Sequence, residues 1–462
     1  MSFPSFAEVS MQGSLRTRLE VWDWFEGNAN SDYAFSGNLL RVSIAAQRPA
    51  FDWQIELAAP FFLGLPNDAV APGNQGQLGL GATYFVANKR RRNASMVFPK
   101  QGFLRLKNLF GDNRQSLRLG RFEFSDGAEV APADATLAAV KRDRISQRLI
   151  GPFGWSHVGR SFDGAHYIHA SQTTNFTLLA ALPTRGAFQA DGWGNLKIGL
   201  LYAALTRQVA GTRHNGEWRA FGMYSHDWRN VPKVDDRPAS IRNTDRANIR
   251  IGTFGGHYLH SAKTAAGLFD VTLWGALQAG RWGRLDHAGN SYAVEAGWQP
   301  TSVPKLQPWL RAGYSRSSGD GDPNDSEHAT FFQALPTPRP YARFPFFNMM
   351  NNEDAFVELV LRPSKAISIR SDVHSLRLTE AADLWYLGGG AFQPWTFGFQ
   401  GRTSAGTRGL ATLYDISADY AVHKNLALSA YFGHAVGHSV ARSVYPGGKD
   451  ANFGYLEMTV RF

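Results

Sequence analysis

The chain has 462 residues, of which 44% are hydrophobic and 13% aromatic, with no cysteine and a formal net charge of +10. Mean hydropathy is −0.28, and no run approaches the roughly 18 apolar residues of a spanning helix, which excludes a helical membrane protein. The absence of cysteine removes disulfides, thiolate metal sites and cysteine nucleophiles. The excess cations are spread along the chain instead of gathered in the basic helix or motif of a nucleic-acid binder.

From the N-terminus onward, period-two alternation predicts strands near 11–25, 37–47, 50–59, 97–109, 115–124, 159–170, 174–183, 195–206, 216–229, 247–260, 268–281, 290–299, 306–316, 353–363, 366–377, 409–421, 425–435 and 452–462. The segment 77–87 is a further candidate, and connection lengths decide its status. Left inside a loop, it allows every short link, such as Gln47-Arg48-Pro49, Ser171-Gln172-Thr173 and Val422-His423-Lys424, to fall on one rim. The long links 60–96, 125–158, 230–246, 317–352 and 378–408 then share the other rim. Short periplasmic turns and long external loops mark bacterial outer-membrane barrels, which have even strand numbers. The expected fold is therefore all-β: a transmembrane antiparallel up-and-down barrel of eighteen strands, forming one domain over residues 1–462. Such strands need only about ten residues with half of them apolar, so the chain reads as hydrophilic on average.

The last segment shows the pattern most clearly. Gly454, Leu456, Met458, Val460 and Phe462 alternate with Tyr455, Glu457, Thr459 and Arg461, as lipid-facing and lumen-facing positions do in a closing barrel strand. At the other end, Met1-Ser-Phe-Pro-Ser5 has neither a basic n-region nor an apolar h-region. The expectation is an outer-membrane protein in which a start Met stands where a leader was.

Alternation also assigns side chains, because charge on the lipid face is disfavoured by about 2–4 kcal/mol at mid-bilayer. Leu104 and Leu106 turn Arg105 and Lys107 inward, and Phe122 and Phe124 taken as lipid-facing turn Arg121 and Glu123 inward. The same logic turns Arg16, Arg18, Glu20, Arg41, Gln54, Glu56, Arg250, Glu295, Arg311, Glu358, Arg370, Asp372, His374, Asp415 and Asp419 toward the lumen. A guanidinium is always charged and pairs bidentately with carboxylates, which suits passage of anionic solutes. The same pairs would also serve to neutralise one another and brace a wide wall.

The stretch Leu119-Gly-Arg-Phe-Glu-Phe-Ser-Asp-Gly127, with Arg148-Leu-Ile-Gly151, Gly154-Trp-Ser156 and Val158-Gly-Arg-Ser-Phe-Asp-Gly164, resembles the alginate export porins. It is similar to their paired Gly-Arg strands bracketing an external loop. Ser318-Gly-Asp-Gly-Asp-Pro323, followed by Thr330-Phe-Phe-Gln-Ala-Leu-Pro336 and Tyr341, is similar to the family's acidic-then-aromatic loop. The resemblance implies eighteen strands and an electropositive constriction in which Arg121, Arg160 and Asp163 line the pore, with Arg105 and Lys107 beside them. The Gln common after the family's Arg is absent at 120–122.

Other motifs carry less. Asp320, Asp322 and Asp325 sit in a Gly-containing loop with oxygen ligands suited to calcium but without the EF-hand pattern. His434 and His438 share one face of an extended strand too far apart for one ion, and these histidines, with His166 and His169, read as residues of the barrel rim. Lys89-Arg-Arg-Arg92 lies on an external loop, where lipopolysaccharide phosphates or anionic solutes are its expected contacts. No nucleophile elbow or phosphate cradle appears, so no catalytic residue and no cofactor are expected. The functional expectation is a monomeric porin passing anionic saccharides, alginate-like polymer or oligosaccharide, by diffusion. Two alternatives stand beside it: a porin for small organic anions, and a binding barrel whose loops, including Phe344-Pro-Phe-Phe347, fold inward.

Overall fold

The computed structural model describes residues 9–462, so Met1 to Ser5 lie outside the described residues. Its barrel strands are β1 (Val9–Asp23), β2 (Asp32–Gln47), β3 (Phe51–Leu63), β4 (Phe98–Lys107), β5 (Gln115–Phe122), β6 (Phe162–Ala170), β7 (Thr174–Pro183), β8 (Ile198–Val209) and β9 (His214–Asp227). They continue as β10 (Ile249–Thr264), β11 (Gly267–Trp282), β12 (Leu285–Pro300), β13 (Trp309–Ser317), β14 (Glu353–Ser364), β15 (Ile367–Arg377), β16 (Gly409–His423), β17 (Leu426–Gly437) and β18 (Asp450–Arg461). Each pairs antiparallel with its neighbours in sequence. Two-residue ladders at 94–95 and 327–328 patch the external rim and are not staves.

Closure is made between β1 and β18, paired from Ser14–Arg461 to Asp23–Asn452. The amides of Gly13 and Phe462 exchange reciprocal hydrogen bonds of 2.7 and 3.0 Å beyond that ladder. A sheet in hydrocarbon must close in this way, since an unpaired edge would leave backbone groups without partners where no water reaches. The outer face follows the alternation: Leu19, Val21, Ile44, Leu201, Phe254, Leu277, Ile416 and Leu456 all point away from the barrel and are exposed.

The segment 77–87 contains a short helix, α1 (Leu80–Ala87), inside the external loop 64–97. Strand ends differ from the alternation reading where aromatic residues peel inward. Trp24 and Phe25, expected to end the first strand, leave it and become buried inside. The β11–β12 connection is only Gly283-Arg284, tighter than any other external link, because the strands run on to Trp282 and Leu285. Gly283 takes φ +65°, where a Cβ would strike the Lys233 and Asp245 side chains.

The upper part of the barrel is filled by its own loops. Leu78 and Tyr84 from loop 64–97, Leu149, Ile150 and Phe153 from loop 123–161, Phe331, Tyr341, Phe344 and Phe346 from loop 318–352, and Trp385 and Phe399 from loop 378–408 are all buried. They form one cluster with inward wall residues Trp22, Phe35, Phe62, Trp274, Trp282 and Phe453. The lumen is thus polar and arginine-rich only in part, and its upper half is apolar and closed by loops. An inner wall carrying so many aromatics must be covered, and loop hydrophobes are the nearest material; at about 25 cal/mol per Å2 their burial holds the plug in place.

Parity is testable by position. Leu456→Arg, on the lipid face, is expected to cost about 2–4 kcal/mol, while Gln54→Lys, on the inner wall beside Glu56, should cost less than about 1 kcal/mol. Denaturant unfolding from lipid vesicles measures both, and the reverse order would contradict the assignment.

Candidate functional site

The loop 123–161 between β5 and β6 enters the barrel and reaches residues close to the periplasmic turns. Gln208 donates to the Ala131 carbonyl at 3.2 Å, Asn215 to Asp134 at 3.0 Å, and Gln299 to Thr136 at 3.0 Å. Along the way its charged residues meet wall charges of opposite sign. Lys141 pairs with Glu217 at 2.6 Å, Glu129 with Arg219 at 2.6 Å, and Arg144 with Glu295 at 2.8 Å. Glu295 also takes Arg148 at 3.3 Å and Arg311 at 3.1 Å. Removing one partner of such a buried pair would leave an uncompensated charge, at a cost of about 3–5 kcal/mol.

Beside this loop lies a cavity of about 220 Å3, lined by Arg142, Arg144, Arg311, Arg343, Arg362 and Arg370 together with Asp143, Glu358 and Asp419. Arg362 stacks over Trp309 at 5.4 Å and makes no ion pair among the described residues. A second cavity of about 510 Å3, lined by Arg41, Gln54, Glu56, Lys424 and Arg461 among others, adjoins the periplasmic turns. On the external side a third, of about 150 Å3, is walled by Trp24, Phe188, Phe399, Gln77, Gln400 and Arg402.

Arg402 is 2% exposed and lies 5.4 Å from the Trp385 ring and 5.2 Å from the Tyr445 ring. Its Nη1 has no hydrogen-bond partner, and burial lowers its pKa to about 9. Arg160 is alike: buried, lowered to about 9 by desolvation, and donating only to the Pro336 and Gly390 carbonyls. Carboxyls in the same plug move the opposite way. Burial raises Asp126 and Asp383 to about 6. Asp236 rises to about 8 through burial and the neighbouring Asp320, Asp383 and Asp235.

Most of the residues singled out in the sequence fall into five groups. Arg105 and Lys107 converge on Asp52, at 2.8 and 2.7 Å. Arg16 and Arg18 meet Glu457 at 3.7 and 2.7 Å. Arg41 links Glu56 to Glu123, the latter at 3.1 Å, and Arg370 bridges Glu358 and Asp372 at 2.9 and 2.6 Å. Asp320, Asp322 and Asp325 accept backbone N–H bonds from Asp322, Asn324 and Glu327 in successive loop turns.

Arg121 and Asp163 stand elsewhere. Arg121 is paired in register with Gly102 and Asp163, and shares its face of β5 with Leu117 and Leu119, which is the outer face. Phe122 and Phe124 are instead buried inside against His166. The leucines set the parity of β5, not the phenylalanines. At Gly120, φ +120°, a Cβ would meet the Gly102 carbonyl, so the strands approach closely just before the turn inward. An outward ion pair near the interface costs only about 0–1 kcal/mol, and this one is well satisfied. Arg121 binds Asp163 at 2.7 and 2.8 Å and donates to the carbonyls of Pro99, Gly192 and Trp193. Arg250, also expected inside, is exposed on the outer face at the first turn of β10.

Alternation missed the loop cations Arg142, Arg144, Arg148, Arg343 and Arg402, because periodicity assigns only strand residues. The run Lys141-Arg-Asp-Arg144 was visible as charge, but its entry into the barrel was not. Lys100 was missed for a different reason: a register shift between Glu56 and Leu57 leaves it out of the β3–β4 pairing. Its Nζ reaches inward to the Val158 and Arg160 carbonyls at 3.1 and 3.2 Å.

No curated protein matches the sequence. Solved structures do match in fold: OccAB2 of Acinetobacter baumannii at TM-score 0.59 and 10% identity, covering 98% of both chains, and OccAB4 of the same organism at 0.56 and 11%, covering 99% of both. The structure of Pseudomonas aeruginosa OpdK with vanillate matches at 0.55 and 10%, again over 98% of each chain. The family model described as alginate export matches residues 7–439. The chain belongs to the alginate export family, as an eighteen-stranded outer-membrane channel.

Proposed function

We propose that this channel passes anionic saccharides by diffusion, as a monomer, with arginines of the inner wall and of loop 123–161 drawing carboxylates through. The observation that carries the reading is the cavity faced by six guanidiniums and only three carboxylates. Arg362 and Arg343 are its least engaged cations: the first has no ion pair among the described residues, and the second meets Asp419 at 3.7 Å. Acidic neighbours keep such a site from holding its solute, since conduction needs both entry and release. Family membership supports a uronate polymer or oligomer as cargo. Arg402, in its aromatic-walled outer cavity, is suited to meet a sugar carboxylate first, because its unpartnered Nη1 gains most from an anion.

One observation favours small organic anions instead. The outer cavity measures about 150 Å3, room for a single ring, and a neighbour in fold was solved with vanillate. Current block by oligouronates, but not by benzoate-like acids of equal charge, selects the saccharide reading; the reverse pattern selects the other. In either case the plug is the gate and must move for solute to pass.

Two outcomes are expected in planar bilayers. The double variant Arg343→Ala/Arg362→Ala should lower the anion-to-cation permeability ratio about fivefold, corresponding to about 1 kcal/mol of screened charge interaction; an unchanged reversal potential would reject the constriction. The plug should also respond to pH. Asp126, Asp383 and Asp236 have folded pKa values above their unfolded ones, so their contribution is full below about pH 4. It is lost as pH rises through about 6 for Asp126 and Asp383 and about 8 for Asp236. Open-channel flicker should therefore grow from pH 4 to pH 8, and Asp126→Asn should blunt the lower part of that change; flicker independent of pH would contradict it.

A further inference from the structure

We propose that the inner wall carries a binding site for one divalent transition metal, formed by Asp372, His374 and Asp415. Asp372 and Asp415 are direct register partners across β15 and β16. His374 lies two residues along β15, so all three side chains leave the same face of the sheet. One ligand atom from each lies within 4.8 Å of the other two. The three residues are 2%, 0% and 5% exposed, respectively.

The hydrogen bonding around them has the form of a metal site. His374 Nδ1 lies 3.1 and 3.0 Å from the two oxygens of Asp354. Donation there fixes the tautomer and leaves the Nε2 lone pair facing the two aspartates, the usual support of a metal-binding imidazole. Tyr431 donates its hydroxyl to Asp415 Oδ1 at 2.6 Å. The remaining atoms, His374 Nε2 and Asp415 Oδ2, are buried without a hydrogen-bond partner. A buried polar atom left so costs about 1–3 kcal/mol, and one cation between them would satisfy both. Arg370 is shared between Asp372 and Glu358 at 2.6 and 2.9 Å, so Asp354, Glu358, Asp372 and Asp415 outnumber the one guanidinium and a divalent charge offsets most of the excess.

An imidazolium bridging Asp354 and Asp372 fits less well. His374 Nε2 is 4.0 Å from Asp372, beyond hydrogen-bond length. One imidazole with carboxylates suits zinc-class ions better than calcium or magnesium, and three protein ligands leave a position for water. The site stands independently of the cargo assigned above.

The test is titration of EDTA-stripped, detergent-purified protein with cobalt(II), read by its visible absorption, followed by displacement with zinc. One cobalt per chain with a ligand-field band is expected. His374→Gln should weaken binding at least 100-fold, and Asp354→Asn, which touches only the orienting carboxylate, by about 10- to 100-fold. Folding of each variant is checked by heat-shifted gel mobility, and Asp415→Asn replaces His374→Gln if the latter does not fold. Absence of the band in the unaltered chain, or equal cobalt binding by the variants, overturns the site.

Discussion

A sheet surrounded by hydrocarbon has to satisfy every backbone group within itself, and the rest of this molecule follows from that requirement. Joining β1 to β18 removes both edges at once. Closure then fixes parity all round the wall, since each pairing carries its register to the next strand. Side chains on one parity must be apolar, and those on the other are free to carry charge. Exceptions collect near the ends of strands, where Arg121 with Asp163 and Arg250 lie close to the interface and their outward placement is tolerated.

Inside, the wall divides by height. Toward the outer rim the inward positions are aromatic, as in Trp22, Phe35, Phe62, Trp282 and Phe453, and loop hydrophobes cover them. Lower down they are ionic, and loop 123–161 supplies partners by threading past Glu217, Arg219 and Glu295. Buried ion pairs seldom add net stability against an apolar replacement, but losing one partner is costly. Such pairs therefore hold the loop in one register, since withdrawing it would leave buried wall charges without partners. The result is an apolar plug above cavities lined by more cations than anions.

The barrel was legible because its two signals are local. Alternation such as Leu456-Glu457-Met458 needs no knowledge of distant residues, and the contrast between short and long links excluded 77–87 from the wall. Side-chain direction was legible only where the strand pattern was unambiguous: Arg105 between Leu104 and Leu106 points in as alternation requires. In Leu119-Gly-Arg-Phe-Glu-Phe124 two phases compete, and the aromatic one, chosen because phenylalanine reads as lipid-facing, belongs to the interior. The plug was legible only in part, through the apolar Phe344-Pro-Phe-Phe347 cluster that marks one loop as able to fold inward. Phe344, Phe346 and Tyr341 have no period, and their burial depends on wall aromatics hundreds of residues away. The Asp372, His374 and Asp415 group was visible only as three inward residues, since register alone brings β15 and β16 together.

In the proposed channel, loop 123–161, seated on wall ion pairs, narrows the pore and sets its preference for anions. Single-channel conductance of a chain in which residues 128–150 are replaced by a short Gly-Ser linker tests it most directly. A several-fold rise in conductance with weakened anion preference is expected, whereas conductance and selectivity both equal to those of the unaltered chain would rule that role out.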